Sequence, residues 1–273
     1  MAEGAGDDWT DTPLLGGRVR VRQPRTGYRA AIDPVLLAAA VAAAPGERVL
    51  DVGCGVGTAA LCLAQRADGV CITGIDQDPA LIAAARANAT ANALGARLAF
   101  LAADLLEPGE ALRGAAFDHV IANPPHLPAD TGQPARDPGR RTAHVEGRAQ
   151  LADWAAFCIR AVRPGGTVTW VHRADRLPEI VTALSQGLGG LTVYPLWPGG
   201  RTARPAKRIL IAGRRGARGP FRLLPGLVLH RPDGHFTPEA EAVLRHAGAI
   251  AWEGEGAAGV GSGRGHGLTP HPG

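Results

Sequence analysis

Short apolar runs alternate with longer segments of helical spacing along most of the chain. The apolar runs predict strands at 48–52, 71–75, 97–102, 118–122, 167–172, 191–196 and 208–212. The segments between them predict helices at 58–66, 79–93, 149–162 and 177–188. This alternation predicts an α/β fold in which a mostly parallel sheet carries helices on both of its faces.

The regions that flank this pattern differ from it in composition. Residues 1–45 contain an apolar run, Val35 to Ala44, and we interpret them as an N-terminal segment with a helix that covers the ligand pocket. The α/β domain is expected to extend over residues 46–250. Residues 251–273 are rich in glycine and polar residues, cannot bury enough apolar surface to offset the entropy of ordering, and predict a disordered tail.

The most specific motif is a glycine-rich loop between the first strand and the first helix of the alternating pattern. Its sequence is Val49-Leu-Asp-Val-Gly-Cys-Gly-Val-Gly-Thr58. Gly53, Gly55 and Gly57 let the backbone turn sharply and approach a ligand closely, and the following helix offers unpaired N–H groups. Dinucleotide-dependent dehydrogenases use a related fingerprint, so the loop alone leaves an NAD(P) enzyme as an alternative.

Three aspartates stand at the ends of three successive predicted strands: Asp51, Asp76 and Asp104. Ligands of open α/β sheets bind at the carboxyl ends of strands, so we interpret the three acids as one binding site rather than as helix caps alone. A cation at Asp51, ribose hydroxyls at Asp76 and an adenine amino group at Asp104 fit S-adenosylmethionine (SAM). We therefore predict SAM as the cofactor, with further contacts from the neighbouring residues Cys54, Gln77 and Leu105 and from Asn123.

The fourth strand runs into the loop Ile121-Ala-Asn-Pro-Pro-His126. An exocyclic amino nitrogen is a poor nucleophile because its lone pair is delocalised. The side-chain oxygen of Asn123 and the backbone carbonyl of Pro124 can accept its hydrogens and favour a tetrahedral nitrogen, whose lone pair then points at the methyl group. Pro125 helps to hold that carbonyl rigid, and the ring of His126 can stack on a base or an amide plane.

This loop resembles the Asn-Pro-Pro-ring signature of methyltransferases that act on planar amino nitrogens. That group includes adenine-N6 enzymes of DNA and RNA and enzymes that methylate glutamine amides. Its members usually carry Tyr, Phe or Trp at the position of His126. The resemblance implies the Rossmann-like class I methyltransferase fold, with a seven-stranded, mostly parallel sheet.

The segments outside this core narrow the resemblance. Residues 15–39 read Leu-Gly-Gly-Arg-Val-Arg-Val-Arg-Gln-Pro-Arg-Thr-Gly-Tyr-Arg-Ala-Ala-Ile-Asp-Pro-Val-Leu-Leu-Ala-Ala. They are similar to the start of bacterial tRNA (adenine-N6)-methyltransferases that modify the adenosine 3′ of a valine-tRNA anticodon, and the resemblance extends to about Arg245. It implies that Tyr28, Arg29 and Asp33 lie near the methionine end of SAM. Asp33 before Pro34 is equally typical of a helix cap.

The charge distribution is compatible with a tRNA partner. The formal net charge is +4 at pH 7. Basic residues without an intervening acid are Arg201, Arg204, Lys207, Arg208, Arg214, Arg215, Arg218 and Arg222, and others follow the Asn-Pro-Pro motif at Arg136, Arg140, Arg141 and Arg148. We interpret them as phosphate contacts beside the active site; a solvated arginine surface is the alternative.

Other functions remain open at this point. A glutamine methyltransferase of release factors shares the core but typically carries a helical substrate domain before it, where this chain has only residues 1–45. An rRNA or DNA amino-methyltransferase is a further alternative, because the Asn-Pro-Pro-ring motif is shared by enzymes with many substrates. A catalytically inactive SAM- or RNA-binding protein is disfavoured by the intact Asn-Pro-Pro and the three acids, and a dehydrogenase leaves Asn-Pro-Pro unexplained.

Cysteine spacing and apolar run lengths bear on location. The four cysteines form no C-x-x-C pair, which indicates reduced thiols rather than disulfides or a metal site. The acidic N-terminus lacks the apolar segment of a signal peptide, and the run from Val35 to Ala44 is too short for a membrane span. We expect a monomeric, cytoplasmic protein without a metal.

Overall fold

The computed structural model describes residues 9–25, 32–112, 114, 116–125, 148–200 and 204–252. In these ranges the strands are β1 (Trp9–Leu14), β2 (Val19–Pro24), β3 (Arg48–Val52), β4 (Cys71–Asp76), β5 (Leu98–Ala102), β6 (Phe117–Ala122), β7 (Val162–Arg173), β8 (Leu188–Gly199), β9 (Arg208–Arg215), β10 (Arg222–Leu223) and β11 (Leu227–His230). The helices are α1 (Asp33–Ala39), α2 (Thr58–Arg66), α3 (Pro79–Ala91), α4 (Leu151–Ala161), α5 (Leu177–Leu184) and α6 (Pro238–His246).

One sheet of nine strands organises the fold. Its order is β10-β8-β9-β7-β6-β3-β4-β5, and β11 also pairs with β8. Strands β3 to β7 pair in parallel, whereas β9 is antiparallel to its neighbours β7 and β8. The predicted α/β fold is confirmed: β3 to β9 correspond to the predicted strands, and β10 and β11 add short pieces along β8.

Two apolar cores lie on opposite faces of the sheet. Helices α1, α2, α3 and α6 pack on one face, and α4 and α5 pack on the other. The C-terminal side closes onto the first core, because the indole of Trp252 donates to Ala40 O at 2.7 Å and meets Tyr194 edge to face. Residues 253–273 of the predicted tail lie outside the described ranges. No described helix is long and apolar enough to cross a bilayer.

The helix ends differ from the sequence pattern for local reasons. Helix α3 stops before Ala93, which adopts a left-handed φ of 56°. Helix α4 begins after a capping box between Gln150 and Asp153. Helix α5 ends at Leu184 because the chain already enters β8 at Leu188. Apolar periodicity locates these helices, whereas backbone conformation and caps set their ends.

The β1–β2 hairpin was not predicted from the sequence. It is held to α3 by Asn88 and Asn92, which lie one turn apart. Asn88 accepts from Arg22 N at 2.9 Å and donates to Arg22 O at 3.0 Å, and Asn92 bonds Arg20 N and O at 2.8 and 2.7 Å. The two amides thus bond the edge of β2 as a neighbouring strand would. Asn88 also donates to Val56 O at 3.0 Å, which joins the hairpin to the glycine loop.

Removing the Asn88 amide tests this attachment. Asn88 is buried, so Asn88→Ala leaves Val56 O and the Arg22 backbone without partners and should lower the free energy of unfolding by about 2–3 kcal/mol. Asn92→Ala, on the more exposed turn, should cost only about 0.5–1 kcal/mol. Urea unfolding of the two variants provides the comparison. Equal losses would contradict a buried role for Asn88.

Candidate active site

The described site residues lie along the carboxyl edge of four adjacent parallel strands. The glycine loop follows β3, Asp76 ends β4, Asp104 follows β5 and Asn123 follows β6. Neighbouring strands are about 4.8 Å apart, so the row measures about 14 Å, the length of a nucleoside with a short side chain. Tyr28, Arg29 and His126 lie outside the described residues.

Aromatic rings fix the shape of the glycine loop. A Cβ on Gly53 would lie 2.5 Å from the Trp154 ring, and one on Gly57 would lie 2.9 Å from the Phe100 ring. Both glycines also have positive φ, 68° and 83°. By contrast, a Cβ on Gly55 would meet nothing within 4 Å. Aromatic side chains therefore pack against the loop at Gly53 and Gly57. Gly55 is open, so a ligand can approach its backbone.

Asp51 is a buried carboxylate at the centre of this edge. Only 2% of the residue is exposed, and its Oδ2 has no hydrogen-bond partner among the described residues. Burial, reinforced by the nearby Asp76 carboxylate, raises the pKa of Asp51 to about 7, against the lowering effect of the Ala60 backbone. A positively charged ligand group at Oδ2 would favour the ionised form.

Asp76 connects the second strand to the glycine loop. Its Oδ2 accepts from Gly55 N at 2.9 Å and its Oδ1 accepts from Asp78 N at 3.0 Å. Burial raises its pKa, and the backbone hydrogen bonds oppose that rise. The cap of α3 is Asp78, whose side chain accepts from Ala80 N at 2.8 Å. Asp76 is thus a loop-organising group rather than a helix cap, and its oxygens retain lone pairs for hydroxyl donors.

Asp104 takes part in an ion-pair cluster at the third strand. Its Oδ1 accepts from Leu106 N at 2.8 Å, and Arg148 donates to its Oδ2 at 2.7 Å. Arg148 also contacts Glu107 at 3.2 Å. Arg148, which we predict from the sequence to face RNA, therefore bonds the acid that we predict to face adenine. An adenine amino group that bonds Asp104 would share its carboxylate with Arg148 or displace the arginine.

The Asn-Pro-Pro segment is held by a histidine that the sequence reasoning missed. His172 is fully buried near the end of β7, and its Nε2 lies 3.2 Å from Pro125 O. The side-chain oxygen of Asn123, directly after β6, is buried as well. The sequence feature that could have identified it is a histidine at the carboxyl end of the fifth predicted strand. That strand is the neighbour in the sheet of the strand that carries Asn-Pro-Pro.

Comparison with known proteins places the chain in a family. Residues 31–133 match the family profile described as methyltransferase small domain. The tRNA1(Val) (adenine(37)-N6)-methyltransferase of Aeromonas salmonicida is 30% identical over 198 residues, which cover 72% of this chain and 80% of that protein. Its counterpart in Aeromonas hydrophila is 30% identical over 80% of this chain and 89% of that protein. The chain belongs to the tRNA1(Val) (adenine(37)-N6)-methyltransferase family.

Solved structures confirm the class I methyltransferase fold for this family member. A predicted O-methyltransferase of Agrobacterium tumefaciens superposes with a TM-score of 0.66 at 24% identity, over 80% of this chain and 98% of that chain. A SAM-dependent O-methyltransferase of Thermotoga maritima gives a TM-score of 0.51 at 17% identity, over 72% and 69% of the two chains. At these identities the likeness concerns the fold alone.

In this family member, Asp33 does not cap a helix. The N-cap of α1 is Ile32, and Asp33 is the first helical residue. Its Oδ2 accepts from Arg208 Nε at 2.9 Å. Arg208 begins β9 opposite Arg173 at the end of β7, so Asp33 lies on the same edge of the sheet as Asn123. The ion pair, rather than a cap, explains an acid at this position.

The arginine-rich segment of the methyltransferase is divided between two edges of the sheet. Because β9 is antiparallel, Arg208 lies at the carboxyl edge while Arg215 lies about 23 Å away at the amino edge. There Arg214 donates to Gly165 O at 2.5 Å, and Arg215 donates to Arg160 O at 3.2 Å. The residues on the edge remote from Asn123 are Arg214, Arg215 and Arg218, whereas Arg222 pairs with Thr192 in the middle of β8. The prediction that the whole cluster adjoins the site is wrong for the three residues at the amino edge.

The buried Asp51 predicts a pH-dependent stability. The folded protein holds a proton on Asp51 up to a pKa of about 7, while the unfolded chain releases it near the ordinary value of 3.8. This contribution to the free energy of unfolding therefore falls as the pH rises between these values. Asp51→Asn removes it, so without ligand the variant should gain stability relative to wild type from pH 5 to pH 7 and hold that gain at pH 8. Urea titrations at these pH values test this, and a difference that does not vary with pH would contradict it.

Proposed function

We propose that this protein is a SAM-dependent methyltransferase that methylates N6 of an adenine in the anticodon loop of a tRNA. The observation that carries the proposal is the position of Asn123 and Pro124 at the end of β6, in the same row of strand ends as Asp51, Asp76 and Asp104. The family supports the substrate, since its named relatives act on adenine 37 of tRNA1(Val).

The residues at the glycine loop fit the proposed cofactor. SAM supplies a methyl group on a positively charged sulfonium. The buried Asp51 Oδ2 offers a negative charge to the cationic end of such a molecule, and the open position at Gly55 gives it access to the backbone. In this assignment Asp76 accepts from ribose hydroxyls and Asp104 accepts from the adenine amino group. Lining contacts are assigned to Gly53, Cys54, Gly57, Gln77, Leu105, Arg29 and Asp33.

The Asn-Pro-Pro segment provides the acceptor geometry for an amino nitrogen. Asn123 Oδ1 and Pro124 O accept the two hydrogens of the adenine amino group, which draws its lone pair out of conjugation with the ring. These two bonds strengthen as positive charge develops on the nitrogen, so they stabilise the transition state more than the ground state. The ring of His126 stacks on the extruded base. The proton released from nitrogen then leaves to solvent.

Transfer of labelled methyl groups tests the proposed reaction. Purified protein, SAM and total tRNA from a strain lacking the gene should yield N6-methyladenosine, detected by nucleoside mass spectrometry. Asn123→Ala should lower the rate at least about 100-fold because it removes one of the two acceptors, while SAM binding is retained. No RNA methylation despite normal SAM binding would contradict the tRNA assignment and favour rRNA, DNA or a protein glutamine as substrate.

We place the tRNA phosphate contacts on the carboxyl-edge half of the arginine-rich segment. Arg204 and Lys207 are exposed beside the start of β9, and neither forms an ion pair with a described residue. They lie at the same edge as Asn123, as phosphates flanking an extruded base require. The arginines of the amino edge face away from the site and serve as a natural control.

A pair of double variants separates the two edges. Arg204→Ala with Lys207→Ala should raise the KM for tRNA about 10-fold and lower the salt slope of tRNA binding by about 1.5, because two phosphate contacts are lost. Arg214→Ala with Arg218→Ala removes the same charge from the opposite edge, where both side chains are exposed, and should leave both quantities unchanged. Equal effects of the two double variants would mean that only net charge matters, which contradicts the assignment.

A further inference from the structure

His172 is a buried polar group with no assigned function. It lies on β7, beside the end of β6, and none of its surface is exposed. The last registered pair of these parallel strands is Ala122 with Trp170, so His172 is level with the Asn-Pro-Pro segment that continues from β6. Its Nε2 lies 3.2 Å from Pro125 O. Because a carbonyl oxygen only accepts, Nε2 must carry the hydrogen of this bond.

The composition of the loop explains why a side-chain donor is needed there. Pro124 and Pro125 have no N–H, so the β6 ladder cannot continue along β7 in the usual way. The registered pairs of β6 and β7 end at Ala122 and Trp170, and the Pro125 carbonyl beyond them is met by a side chain. The imidazole of His172 supplies a donor from the neighbouring strand at the level where the backbone ladder stops.

Holding Pro125 O restricts the two proposed acceptor atoms. The pyrrolidine rings fix φ at both prolines, so anchoring the second carbonyl leaves little freedom to rotate the first. The position of Pro124 O and the direction of the Asn123 side chain therefore depend on the bond from His172. Small misplacements of such groups can lower a rate about 100-fold without any change in chemistry.

We propose that His172 is a positioning residue for methyl transfer, whose Nε2–H holds Pro125 O and thereby sets the acceptor geometry of Asn123 and Pro124. This inference rests on the proposed function, since it concerns the same reaction. His172 does not touch the reacting atoms in this assignment. Its effect belongs to the turnover step and not to cofactor binding, because the described residues that this assignment gives to the cofactor belong to α1 and to the ends of β3, β4 and β5.

Two substitutions of similar volume separate positioning from packing. His172→Gln retains an amide N–H within reach of Pro125 O, whereas His172→Met fills the space without a donor. We expect the Met variant to lower kcat for tRNA methylation about 10- to 100-fold with the KM for SAM unchanged. The Gln variant should keep kcat within about 5-fold of wild type. Trp170→Phe, at a buried site on the same strand, controls for lost stability and should leave kcat unchanged.

The outcomes of this comparison are distinct. Loss of kcat in the Met variant with rescue by Gln supports the proposal. An unchanged kcat in the Met variant overturns it, as does an equal loss in the Met and Gln variants when both are folded and bind SAM.

A second measurement does not depend on the substrate. Nitrogen-15 NMR of the histidines in the wild-type protein should show His172 with a protonated Nε2, assigned by loss of its signals in His172→Gln. An unprotonated Nε2 overturns the proposal even if methylation proceeds. Failure of the wild-type protein to methylate tRNA, with Nε2 protonated, would overturn the proposed function instead.

Discussion

The burial of one carboxylate, Asp51, at the centre of a parallel sheet is the constraint on which the site depends. Strand β3 lies between β4 and β6, so the carboxylate at its end is removed from water on both sides. An ionised group in that position is costly unless an opposite charge or enough donors satisfy it. The protein itself meets this need only in part, because Oδ2 has no partner among the described residues. In the assignment that we propose, the cationic end of SAM supplies the missing opposite charge.

Packing around the glycine loop keeps this site in shape. Phe100 approaches from one core and Trp154 from the other, against Gly57 and Gly53 respectively. Gly74 on β4 is part of the same contact, since a Cβ there would lie 2.5 Å from Phe100. One aromatic ring from each core thus packs against the glycine loop. A larger residue at any of these glycines would push the loop away from Asp51. The shape of the site therefore depends on the packing of the core.

Sequence patterns predicted the elements that local periodicity determines. Strands β3 to β9 and the glycine loop follow from apolar runs and turn residues, and the acids at strand ends follow from the rule that ligands bind at carboxyl ends. The hairpin was not predicted, although apolar and polar residues alternate along β2, with Val19 and Val21 buried and Arg20 and Arg22 exposed. Its polar positions are arginines, and its docking depends on Asn88 and Asn92, far along the chain.

The surroundings of other residues were predicted wrongly or not at all, because they depend on contacts between distant parts of the chain. Whether Arg214 lies near Asn123 depends on the direction of β9, which the apolar pattern does not contain. The pairing of Arg148 with Asp104 depends on how the segment before α4 returns to the sheet. The role of His172 depends on β7 being the neighbour of β6. The order and direction of the strands therefore determine which of the polar residues come together in the site.

The central claim, that Asp51 serves a cationic ligand group, is tested most directly by the protons released when SAM binds. Calorimetric titrations in buffers of different ionisation enthalpy measure this number. With the pKa of Asp51 near 7 in the free protein, binding that ionises it should release close to one proton at pH 6 and far fewer at pH 8. Tight binding of SAM at pH 6 without proton release would contradict the claim, because Asp51 would then keep its proton beside the ligand.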